Sequence, residues 1–268
     1  VLCSVMKLKT LINKSYYGSI GYIDNRDSID TLGSYLLHNK LVLDEFEGHI
    51  FAFTHKDLDT EHLEETISSL YPNAIILYLD KNRGHNFGTV DLDNLVFDYC
   101  KDNNIEWLCK ASNDIILQPE VLELPIDEAD FYYMGSIGLG GMVKYDFDNQ
   151  RIINEDFFPQ TNFYFINVSK TDYLNDKEYI DKTYNEIQNV PDYNGRIWEY
   201  FQGWTCERFL KNCVERNNLS KCHLIPQKTY IKLLELIKQQ QIHDCSHKNI
   251  MIEGICHYQN QNQKITVL

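Results

Sequence analysis

The run CKASNDIIL, Cys109–Leu117, places Asn113 and Asp114 between two apolar blocks. A carboxylate beside a buried strand is costly unless it is paired or binds a cation. Asp114 is therefore either a ligand-holding strand end or a turn residue. Arg26 and Arg83 each carry a planar fork suited to phosphate. Gly84, beside Arg83, has no side chain and lets a ligand approach the backbone. Near the C-terminal end, HDCSHKNIMIEGICHY gathers His243, Asp244, Cys245, His247, Cys256 and His257, with Lys248 placed to touch a phosphate. His243 and His247 stand four apart, without the remaining pairs of a structural zinc frame. Trp198 and Trp204 lie close together, and aromatic faces of this kind stack on sugar rings or fill a core.

The elements that must position these residues follow from periodicity. Tyr17–Asp24, His49–His55, the apolar run AIILYLD and IEWLCKASND read as strands. The third, almost wholly apolar, is expected to be buried on both faces. Between them lie three stretches with helical spacing: SIDTLGSYLLHNKLVLDEF, DTEHLEETISSLYP and TVDLDNLVFDYCKDNN. Alternation of strand and helix predicts an α/β protein whose mostly parallel, Rossmann-like sheet has helices on both faces. In such sheets ligands bind beyond the carboxyl ends of the strands. Asp24, Asn25, Arg26 and Asp27, then Thr54 and His55, then Asn82 and Arg83, then Asn113 and Asp114 all fall at those ends. The C-terminal half mixes strands (ADFYYMGSIGLGGMVKYDF and TNFYFINVSKTDYL) with helices (GRIWEYFQGWTCERFLKNCVERNN and QKTYIKLLELIKQQQ). No repeat or Pro/Gly-rich linker divides the chain, so one domain over 1–268 is expected.

Bulk properties narrow the partners. The 268 residues carry a formal net charge of -14. That argues against nucleic acid or an anionic membrane, both of which select basic surfaces, but leaves room for an anionic substrate held through a divalent cation. The 8 cysteines are scattered and no apolar run is long enough to span a bilayer. Reduced thiols and a cytoplasmic location are expected. A chain opening on Val1 is expected to be part of something longer.

The segment NRGHNFGTVDLDNLVFDYCKDNNIEWLCKASNDIILQPEVL resembles the central part of GT-A fold glycosyltransferases, especially the family-2 and rhamnosyltransferase-like group. Asn82, Gly84, Gly88, Asn94, Asn113, Asp114 and Pro119 match the pattern over about 45 residues. The resemblance implies a single GT-A-like domain, with about 17–118 as the nucleotide-sugar half and about 119–268 as the acceptor half. It implies a hexosyl- or deoxyhexosyltransferase using a nucleotide-diphosphate sugar and a glycan or glycoprotein acceptor. The strand-end residues above, with Asn94, Gly84 and Lys248, then contact the donor. Asp114 holds a divalent cation, Mn²⁺ or Mg²⁺. Ser112 replaces the family's first Asp, so the cation is weakly held unless a late histidine, His247 first and then His243 or His257, completes its shell. Gly140 and Gly141, with Trp204, fall in acceptor territory. An inverting transfer needs a carboxylate base, assigned to Glu207 in GWTCERFL with Glu199 in RIWEYF as runner-up, and shielding by Trp204 suits a base. Two other readings stay open. A non-catalytic sugar- or nucleotide-binding protein is favoured by Ser112. A nucleotidyltransferase is disfavoured because YIDNRDS lacks a glycine-rich signature.

Overall fold

The computed structural model describes residues 6–23, 25–54, 60–135, 143–146, 151–155, 157, 159–172, 174, 176–188, 205–226, 228–229, 231–232, 235, 250–257 and 266–267, some by backbone alone. Its centre is a seven-stranded sheet of β1 (Ser15–Tyr22), β2 (Gly48–Thr54), β3 (Ile75–Leu79), β4 (Trp107–Ser112), β5 (Phe131–Gly135), β6 (Pro159–Asn167) and β7 (Lys221–His223). The spatial order is β7-β5-β6-β4-β1-β2-β3. β1, β2, β3 and β4 run parallel, β6 runs against both β4 and β5, and β7 runs with β5. Only β6 therefore opposes the common direction, so its beginning lies at the carboxyl end of β4. The expected α/β class is the class found.

Alternation along the strands feeds two separate cores. Tyr17, Phe51, Phe53, Cys109, Ala111 and Phe165 face one layer with α1 (Arg26–His38) and α2 (Thr60–Leu70). Ile20, Ile50, Ala52, Leu108, Tyr164 and Ile166 face the other with α3 (His85–Asp102) and α5 (Thr205–Arg216). The period-2 strand pattern thus satisfies helices on both faces at once. A further helix, α4 (Lys177–Gln188), was not foreseen. Its sequence, KEYIDKTYNEIQ, is largely polar and buries Ile180 beside Phe87 and Phe209.

Two local expectations change. The helix predicted over 28–46 ends at His38, and a short helical turn, Lys40–Leu43, follows. The interruption is Asn39, which is 2% exposed. Its amide donates to the Ile115 carbonyl at 2.7 Å, and its Oδ1 accepts from the Leu117 N–H at 2.8 Å. It acts as a strand neighbour for Ile115–Leu117. The second change is β3. The expectation of burial on both faces is corrected, because β3 is the sheet's outer strand and all five of its residues are only half-buried. An apolar run does not distinguish an edge from a centre. No described helix is long and apolar enough to cross a membrane.

Candidate active site

From β1 the chain steps outward to β2 and β3, then returns to place β4 on the other side of β1. The strand order reverses between β1 and β4, which is where open α/β sheets form a crevice beyond the strand ends. Asn113 and Asp114 form the turn that leaves β4 there. The Asn113 N–H donates to the Ile20 carbonyl at 3.1 Å, extending the β1–β4 ladder into the turn. The Asn113 side chain lies over Gly21, where a Cβ would come within 2.5 Å of its Nδ2. Gly21 is therefore the residue that lets Asn113 fold over the end of β1. After the turn, Ile115–Leu117 pairs antiparallel with Ile255–His257, putting the backbone of His257 opposite Ile115. The Cys256 thiol is pushed up to about 12, by burial first and by the Asp114 charge second. The late histidine region thus returns to the residue following Asp114. His257, one of the two alternatives behind His247 as a cation ligand, has its backbone at that point, whereas His243 and His247 lie outside the described residues.

The donor-side residues are held by local backbone devices. Asn25 caps α1: its side chain accepts from the Ser28 N–H at 2.9 Å, and Ser28 Oγ accepts from the Asn25 N–H at 3.2 Å. This reciprocal pair fixes the first turn, in which Arg26 and Asp27 are exposed at the mouth of β1. Thr54 ends β2 and is 2% exposed. Asn82 closes a turn by accepting from the Gly84 N–H at 2.8 Å. Gly84, at φ 89°, is the N-cap of α3, whose first residue His85 lies four residues before the predicted start. A Cβ on Gly88 would lie 2.8 Å from Asn82 Oδ1, so the Asn–x–Gly–x3–Gly spacing is one packed unit.

Arg83 has a task not read from the sequence. Its Nε and one amino group fork onto Asp91 at 2.7 and 2.5 Å, and its other amino group reaches Asp181 at 2.6 Å. Its guanidinium also lies over Phe87 and Tyr184. These contacts tie α3 to α4. Asn94 lies well inside α3 and is 6% exposed.

A buried polar group was missed altogether. Lys110 on β4 is 1% exposed, and its Nζ lies 3.6 Å from Asp93 Oδ1 on α3 while donating to the Thr161 carbonyl on β6. Thr161 Oγ1 donates to Glu207 Oε1 at 3.2 Å, and the Cys206 thiol donates to Glu207 Oε2 at 3.0 Å. Glu207 is thus an oriented carboxylate rather than a free helix-surface acid. Burial drives the Asp93 carboxyl up to about 6; Lys110 opposes this and the nearby Glu207 adds to it. Burial also pushes the Cys206 thiol well up, followed by the charge of Glu207. Lys110 escaped the sequence reading because a lone lysine in a strand ordinarily marks a solvated position. Its place at the centre of a long apolar strand was the available signal.

Among the described residues, no three His, Cys, Asp or Glu side chains form a group that would hold a metal. A Mg²⁺-type cation commonly takes one or two carboxylates and fills its remaining positions with water and substrate phosphates. Asp114 alone fits that pattern only with the substrate present. Asp24, His55, Gly140, Gly141, Glu199, Trp204, His243, His247 and Lys248 lie outside the described residues.

No protein-family model and no curated protein matches the chain. Solved structures do. The apo-form glycosyltransferase GlyE of Streptococcus pneumoniae TIGR4 is 12% identical at TM-score 0.45, covering 93% of this chain and 55% of its own. A nucleoside-diphosphate-sugar pyrophosphorylase of Vibrio cholerae RC9 is 12% identical at TM-score 0.40, covering 77% of this chain and 90% of its own. A putative nucleotide-diphospho-sugar transferase of Desulfovibrio desulfuricans G20 is 11% identical at TM-score 0.38, covering 79% of both chains. This chain therefore spans about half of the first of these three. At these scores the fold assignment rests on the sheet order itself.

Proposed function

We propose that the protein is a glycosyltransferase that moves a sugar from a nucleotide-diphosphate sugar to a hydroxyl of a glycan or glycoprotein. The observation that carries this reading is the oriented Glu207 carboxylate. It is anchored to Thr161 near the start of β6, at the same sheet end as the Asn113–Asp114 turn. Among the described residues each carboxylate oxygen accepts one bond, from Thr161 or from Cys206, and a carboxylate oxygen has capacity for a second. Glu207 takes the proton of the acceptor hydroxyl as that oxygen attacks the anomeric carbon. The sugar–oxygen bond to the diphosphate breaks, and the diphosphate leaves with the electron pair, giving inversion. The exposed first turn of α1, with Arg26, receives the donor beside β1. Asn113 and Asp114 face its diphosphate; Asp114 would hold a divalent cation, which would supply positive charge to the leaving group.

The test is calorimetric titration with UDP, GDP and dTDP, each with Mn²⁺ and then with EDTA. One diphosphate should bind, and chelator and Asp114→Asn should each abolish that binding. Binding that survives both overturns the cation role of Asp114. Absence of binding by all three overturns the donor site. The presence of Ser112 in place of a second carboxylate favours a second reading, a non-catalytic nucleotide-sugar binder. In that case the diphosphate binds but no nucleotide sugar is turned over.

A further inference from the structure

A lysine with 1% exposure costs much to bury, and an apolar residue of the same size would fit the core at least as well. Its use here matches a defect in the sheet. The pairing of β6 with β5 shifts register between Pro159 and Tyr164. The pairing of β6 with β4 begins only at Phe163. Thr161 falls between these described pairings. At that irregularity Lys110 donates to the Thr161 carbonyl from the adjacent strand. With its backbone pinned there, Thr161 directs its hydroxyl at Glu207 across the strand–helix interface. Asp93 on α3 balances the ammonium. The four residues form one connected path from α3 through β4 and β6 to α5.

We propose that Lys110 and Thr161 are positioning residues that aim the Glu207 carboxylate, with Asp93 as the counter-ion that allows the lysine to be buried. This rests on the reading of Glu207 as the base. Neither residue touches substrate. Lys110 acts on a main-chain carbonyl, and Thr161 acts on one carboxylate oxygen. The strand irregularity and the buried ammonium thereby serve one purpose: they hold an acid on a helix at a fixed angle to a sheet.

The test uses the full chain and whichever of UDP-glucose, GDP-mannose and dTDP-rhamnose is turned over, measured as diphosphate release, with diphosphate affinity followed by calorimetry. Glu207→Gln should lower turnover about 10²- to 10⁴-fold without changing diphosphate affinity. Thr161→Val, which removes the hydroxyl and its contacts with Glu207 and with the Cys206 sulfur, should lower kcat about ten- to a hundredfold, the worth of one bond to a charged group, and leave donor KM unchanged. Thr161→Ser should restore most of it. The charge-free pair Lys110→Met with Asp93→Leu should show a similar loss and should add little to Thr161→Val, as members of one path do. Normal kcat in Thr161→Val beside a dead Glu207→Gln overturns the positioning path and leaves the base standing. Full turnover in Glu207→Gln overturns the base and the path with it, as does a wild-type chain that turns over none of the three donors. A double variant that fails to fold leaves the Thr161 pair of variants to decide.

Discussion

The two sides of the crevice are built differently. On the donor side, Asn25 is held by Ser28 and Asn82 by Gly84 and Gly88, all a few positions away, and Asn113, though far from β1 in sequence, is held by regular backbone at that strand's end. On the other side, Glu207 is held by the adjacent Cys206 and, from 46 positions away, by Thr161, which is in turn held from 51 positions away by Lys110. Caps and turns survive small changes because the backbone beneath them is regular. A chain of buried side chains fails at any link. The difference predicts steep mutational effects on the acceptor side and shallow ones on the donor side.

The largest effect expected is at Lys110. Replacing it alone with Met strands the Asp93 carboxyl without its cation and should cost about 3–5 kcal/mol in denaturant unfolding at pH 7. A loss below about 1 kcal/mol would mean that the pair contributes no more than an exposed one. Next comes pH. Burial pushes the Asp93 carboxyl up to about 6 in the folded chain, from an ordinary value of 3.8. The folded state therefore binds more protons between those values, and the associated stability, about 3 kcal/mol, is present below pH 4 and lost as pH rises through 6. Measured from pH 4 to 7, Asp93→Asn should gain on the wild type by about that amount. A constant difference would refute the assignment.

Smaller effects belong to the donor side. A Cβ on Gly18 would meet Leu108 Cδ1 at 2.7 Å and Val96 Cγ1 at 3.0 Å, so Gly18→Ala should overpack the core by about 1–3 kcal/mol. Asn25→Ala should cost about 1 kcal/mol through loss of the α1 cap. If the cap proves as costly as Lys110, the contrast between the two sides disappears.

The same contrast explains what the sequence made legible. The parallel half, its strand ends and the Asn82–Gly84–Gly88 unit were readable because their causes are local: periodicity, caps and a glycine at positive φ. Glu207 was reached through the resemblance, but its distant partners were not, since nothing near residue 207 in sequence points to Thr161 or Lys110. α4 was missed because its apolar positions are few, and it is docked partly by Arg83, 98 positions before Asp181. The burial of β3 was misjudged because edge and centre differ in neighbours and not in composition.

The pairing of Ile115–Leu117 with Ile255–His257 also has a bearing on synthesis. A nascent chain completes β1 to β4 early, yet the strand that leaves the Asp114 turn waits for its partner until about 140 more residues have been translated, on the order of ten seconds at typical elongation rates. The first half can thus begin to fold on the ribosome while the crevice lacks its last wall.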